Sequence, residues 1–98
     1  MGLTAVNVAE KYGVSREAMD DYALRSQHLA VASQESGFFA REIVPIPTPD
    51  GEVSRDDGPR PDKGDMREKL AELPEAFGGG GVTAGNSCPL NDGAAAAL

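Results

Sequence analysis

The chain has 98 residues, 40% of them apolar and only five aromatic, with 12 glycines and 7 prolines. A domain of this size buries about 60–65% of its unfolded surface even when well made, so this composition argues against a self-sufficient core and points to a piece of a larger protein. The formal charge of −7 argues against nucleic acid or an anionic membrane as a general partner. No apolar run approaches the ~18 residues of a membrane span, and the lone cysteine fits a reducing compartment, so a cytoplasmic chain is expected.

The predicted elements follow in chain order. Thr4 is the expected N-cap of a first helix, with Leu3 and Val8 as a hydrophobic staple. Gly13 is its C′ residue. Ser15 caps a second helix that runs to about Ser36, and Val14 is expected to pack on Met19. Met19, Tyr22, Ala23, Ser26 and Ala30 recur at helical spacing and predict the packed face. Arg16, Asp20, Asp21, Arg25 and Glu35 predict a solvated one, and Gly37 ends the helix. Ile43-Val44, hemmed by Pro45, Pro47 and Pro49, reads as a short edge strand. Asp50-Gly51 is a hairpin-type turn, after which Glu52-Val53-Ser54 pairs back. An irregular loop covers 55–65. A short third helix is predicted over about 65–73, with Met66, Leu70 and Leu73 on one side. Gly78 to Gly81 form a joint, the one credible boundary.

Most specific is the stretch from Gly81 to Gly93, where glycines, asparagines and a proline mark tight turns. Small side chains at Ala84, Gly85, Ser87 and Cys88 would allow a ligand or another backbone to come close. Ala94-Ala95-Ala96-Ala97-Leu98 reads as the start of a buried element.

The candidate chemistry is sparse. Cys88 and His28 are the only thiol and the only imidazole. They do not read as a catalytic dyad, because no third orienting group accompanies them. The four glycines are followed by no Lys-Ser/Thr, so the phosphate-loop pattern fails. No metal-ligating cluster is apparent. Thr4 to Ala30 has the outline of a helix-turn-helix, but a DNA reader needs basic or amide side chains on the first turns of its second helix. Glu17, Asp20 and Asp21 stand there against Arg16. A small self-contained helix-turn-helix or acidic interaction module is the alternative reading.

Thr83-Ala84-Gly85-Asn86, with Asn91-Asp92-Gly93-Ala94-Ala95-Ala96, resembles a characteristic segment of the thiolases. These are the acyltransferases that make or cleave 3-ketoacyl-CoA. Met1-Gly2, Thr4-Ala5 and Val8-Ala9 resemble a second family segment. So do Ser15-Arg16-Glu17 with Asp20, Ala23, Ser26 and Ala30, then Gly37-Phe38, Glu42-Ile43-Val44-Pro45, Arg60-Pro61, Leu70 to Leu73, and Ala76-Phe77, in the family's order across nearly the whole chain.

The resemblance implies an α+β fragment. Residues 1–77 would form part of the mainly helical loop domain that covers CoA in the α/β thiolase fold. Residues 78–98 would return into the core domain, ending in the start of a core strand. It implies an acetyl-CoA acetyltransferase or 3-ketoacyl-CoA thiolase of fatty-acid metabolism such as β-oxidation, working through a Cys acyl-thioester. The family's nucleophilic Cys lies upstream of the matched region, and its His and second Cys lie downstream. This segment is therefore expected to bind CoA, to hold no catalytic residue, and to be inactive alone.

By resemblance the CoA-binding residues are Met1, Gln27, Arg60, Pro61, Asp62, Ala84, Gly85 and Cys88. Cys88 occupies a serine position, where a thiol is the weaker donor. Arg60 would meet the nucleotide end of CoA, a role that suits a guanidinium. No covalently bound cofactor or metal is implied; CoA or acyl-CoA is the substrate. The implied partners are the rest of a thiolase chain and identical copies in a homodimer or homotetramer, with no nucleic acid or membrane.

Overall fold

In a computed structural model the described residues are 1–91 and 93–98; Asp92, part of the matched motif, lies outside them. Helix α1 spans Gly2–Tyr12, α2 spans Arg16–Glu35, and a 3₁₀ turn follows at Phe39–Arg41. Strands β1 (Ile46–Thr48) and β2 (Gly51–Val53) pair antiparallel, with Ile46 opposite Val53 and Thr48 opposite Gly51. Helix α3 spans Met66–Glu72.

Local chemistry explains most of the boundaries. Gly13 takes a left-handed conformation (φ 64°) and its N–H bonds to Ala9 O, closing α1 as expected. The Ser15 side chain accepts from Ala18 N (3.2 Å), capping α2. Gly37, at φ 74°, turns the chain after α2. The start of α1 differs from expectation: Met1 rather than Thr4 is the N-cap, and no side chain caps it. Gly2, the first residue of the helix, lies under the Phe77 ring, where a Cβ would come within 2.6 Å. The first strand also shifts, from Ile43-Val44 to Ile46–Thr48, the register that the Asp50-Gly51 turn sets.

Packing is thin. Among the described residues Ala9, Leu70 and Val82 are the buried apolar side chains. The radius of gyration is 16.2 Å, against about 13 Å for a compact domain of 100 residues. Helix α2 packs on α3 and on the 3₁₀ turn, whereas the hairpin touches no other named element. Ala94–Leu98 is exposed and forms no strand. The expected start of a core strand is thus not seen, and among the described residues no strand pairs with this segment.

The packed face of α2 is the predicted one only in part: Met19, Ala23 and Ala30 are half-buried, but Ser26 is exposed and the face is rotated towards Asp20. Tyr22 is exposed, while Asp20 is only 6% exposed. Tertiary polar contacts have overridden the apolar periodicity.

Candidate ligand-binding groove

The site is built on a polar junction between α2, α3 and the segment returning after the four glycines. Arg16 Nε donates to Asp20 Oδ2 (2.7 Å) one helical turn on. Its Nη2 donates to Leu70 O (2.6 Å), which also accepts from the C-cap Leu73 N–H, and to Leu73 O (2.9 Å) just past the end of α3. The other Asp20 oxygen accepts from Asn86 Nδ2 (2.9 Å), which also donates to Gly81 O (2.9 Å). Asn86 Oδ1 accepts from Thr83 N (2.8 Å).

Thr83, fully buried, returns the bond, its Oγ1 accepting from Gly85 N and Asn86 N. This reciprocal turn leaves Ala84 exposed and Gly85 half-buried. Gly85 rests on α3 so closely that a Cβ would lie 2.5 Å from Leu70 Cδ2 and Leu73 Cδ1. Burying the Arg16–Asp20 pair is tolerable only because nearly every polar atom has a partner.

Before the turn, Ala76 N donates to Val82 O (2.8 Å) and Glu75 bridges to Thr83, closing the loop that Gly78–Gly81 span at positive φ. Gly80 needs that freedom and that space, because a Cβ there would meet Val6 Cγ1 at 2.7 Å.

A groove of about 490 Å³ opens beside this junction. Ala23 and Gln27 of α2 form one wall, and Met66, Lys69 and Leu70 of α3, with its C-cap Leu73, another. Gly58, Arg60, Pro61, Lys63 and Asp65 form the rim, and Ala84, Gly85, Ser87 and Pro89 line the remaining side. Of the residues singled out in the sequence, Gln27, Arg60, Pro61, Ala84 and Gly85 therefore converge. Met1 is fully exposed at the start of α1 and does not line the groove. Cys88 is exposed and points into no part of it.

Asp62 is turned into its own loop. Its Oδ1 accepts from Gly64 N (2.8 Å) and Met66 N (3.1 Å), and its Oδ2 accepts from His28 Nε2 (3.0 Å). The His28 hydrogen bond, then the two backbone amides, hold its carboxyl below the ordinary value of 3.8.

The rim is locally basic on an acidic chain. Lys69 pairs with Asp65 (2.6 Å), which raises the lysine's pKa. Among the described residues the side chains of Arg60 and Lys63 make no hydrogen bond or ion pair. A small-residue wall, an apolar face from Leu70 and Leu73, and free cations at the rim suit an elongated ligand with anionic groups at one end. Among the described residues no group of three or more His, Cys, Asp or Glu could hold a metal ion.

Sequence reasoning placed Arg16 and Asp20 on the solvated face and assigned Asn86 no role. The spacing of Thr83 and Asn86 was the available signal, since such pairs close local turns through their side chains.

The family described as "Thiolase, N-terminal domain" matches residues 1–98. The peroxisomal 3-ketoacyl-CoA thiolase A of Mus musculus is 46% identical over 108 residues, covering all of this chain and 25% of that protein. The structure of acetyl-CoA acetyltransferase from Syntrophomonas wolfei is similar at a TM-score of 0.77 and 48% identity, over 86% of this chain and 21% of that one. Human mitochondrial 3-ketoacyl-CoA thiolase in complex with CoA is similar at a TM-score of 0.75 and 39% identity, over 83% of this chain and 20% of that one.

The chain belongs to the thiolase family. It spans about a quarter of the length of the curated relatives it matches. The alternative of a helix-turn-helix or acidic module falls with this match. The geometry agrees: Arg16, the one cation on the first turn of α2, is committed to α3.

Proposed function

We propose that this chain supplies the CoA-recognising part of an acyl-CoA acyltransferase. Residues 1–77 would act as the loop domain over the ligand, and residues 78–98 as the return into the catalytic core. In the whole enzyme a Cys thioester would carry the acyl group while acetyl-CoA or 3-ketoacyl-CoA is condensed or cleaved. The segment contributes recognition, and bond-making falls to other parts of the chain and its oligomer.

The observation that carries this reading is the groove. Among the described residues Arg60 and Lys63 have no ion-pair partner at its rim, and Ala84 and Gly85 are small enough to admit an arm of pantetheine width. The likeness to a solved thiolase–CoA complex supports it. CoA phosphates would meet the guanidinium of Arg60, and the pantetheine would run along the Ala84-Gly85 turn towards the core.

Calorimetric titration of CoA into the chain tests this. Binding is expected, with Arg60→Ala weakening it about tenfold, the scale of a charge-assisted phosphate contact. Equal affinity in the variant, or no binding, overturns the reading. Grafted in place of the matching segment of the Syntrophomonas wolfei enzyme, residues 1–98 should sustain turnover, whereas the chain alone should show none.

A further inference from the structure

Along α2, three polar side chains face the loop that carries Arg60. Gln34 Nε2 donates to Asp56 O (2.9 Å), and its Oε1 accepts from Arg55 Nη2 (2.9 Å). Seven residues earlier, two turns back on the same face, Gln27 Oε1 accepts from the backbone N–H of Arg60 (2.9 Å). Next to it His28 donates through Nε2 to Asp62 Oδ2 (3.0 Å). The other oxygen of Asp62 holds Gly64 N and Met66 N, so the same carboxylate ties the loop to the first residue of α3.

Arg60-Pro61-Asp62 is thus anchored on both sides of a proline whose φ is already fixed. The Arg60 side chain between those anchors has no protein partner among the described residues. A cation on a free loop spreads over many positions and loses entropy when it binds. One on a loop pinned at both ends loses less.

We infer that Gln27 and the His28–Asp62 pair are positioning residues that hold the Arg60 loop against α2, so that its guanidinium is pre-set for the anionic end of the ligand. None of the three need touch that ligand. Gln27 has its carbonyl oxygen occupied by the loop backbone, and Asp62 has both oxygens occupied by the protein. This rests on the CoA reading above and refines which residues contact CoA and which act through another.

The test compares two ligands, CoA and pantetheine, the second lacking the phosphorylated nucleotide. His28→Ala and Gln27→Ala should each weaken CoA about two- to fivefold, the scale of an exposed polar pair. Both should leave pantetheine unchanged. In an Asp62→Ala background, His28→Ala should have no further effect. With Asp62 in place, His28→Gln, which keeps a donor, should lose far less than His28→Ala. A merely structural role would weaken both ligands together.

Arg60→Ala serves as the reference. If it weakens CoA selectively while the α2 variants do not, the positioning inference is overturned and the CoA reading stands. If it too leaves CoA unaffected, the CoA reading itself fails. Additive losses from His28→Ala and Asp62→Ala also overturn the pairing.

Discussion

The hairpin and the α2–α3 junction use the same short chain in opposite ways. All six residues of β1 and β2 are exposed, including Ile46 and Val53, and the pair leans on no other named element. Such a two-stranded ribbon is marginal on its own. The junction buries little more apolar surface, yet it joins three distant segments through Arg16, Asp20, Thr83 and Asn86. In a chain with so few buried apolar side chains, directional polar bonds specify the arrangement that packing would specify in a larger core. Apolar residues on the hairpin do not by themselves build anything.

Breaking the junction should have the largest effect. Asn86→Ala removes three hydrogen bonds and leaves the buried Asp20 carboxylate short of a donor. A loss of about 2–4 kcal/mol is expected from such an unpaired buried group, read from the urea midpoint. Gly85→Ala is expected to cost about 1–3 kcal/mol by overpacking against Leu70 and Leu73. It should also weaken CoA, because the displaced turn narrows the groove.

A pH titration sharpens the comparison at the loop between the two regions. The folded state favours ionised Asp62, whose carboxyl lies below 3.8. Its contribution is therefore full above that value and is lost as the pH falls through the lowered one. Carbon NMR of the Asp62 carboxyl should show a midpoint below 3.8, moving upward in His28→Ala. At the hairpin the effect should be smallest: Ile46→Thr or Val53→Thr is expected to change stability by less than about 0.5 kcal/mol in the same urea experiment. A larger loss there would mean that the ribbon packs on something beyond these residues.

The legible parts of the sequence were those decided within a few residues. Gly13, Ser15, Gly37 and the Asp50-Gly51 turn act through local backbone chemistry, so their roles could be read without the fold. Helix α3, too, falls within the predicted span. The buried face of α2 could be read this way only in part. Asp20 looks like a surface carboxylate until Asn86 is brought to it, and Tyr22 looks like core until the partner helix lies elsewhere.

The site divides similarly. Gln27, Arg60, Pro61, Ala84 and Gly85 come together at one groove, while Met1 and Cys88 remain apart from it. Asp62, next to Pro61 in the loop, does not line the groove and spends its oxygens on His28 and its own loop. That distinction depends on hydrogen-bond direction, which residue type alone does not reveal.

The bond between Asp20 and Asn86 spans 66 positions of sequence. At synthesis rates of about 5–20 residues per second, roughly 3–13 s separate the two residues' appearance on the ribosome. Helix α2 can coil within microseconds of emerging, but Asp20 must stay hydrated until Asn86 arrives. The nascent chain therefore spends seconds with a finished helix and no junction, an interval in which a chaperone or a sister chain can reach the face of α2 that α3 and Asn86 later cover.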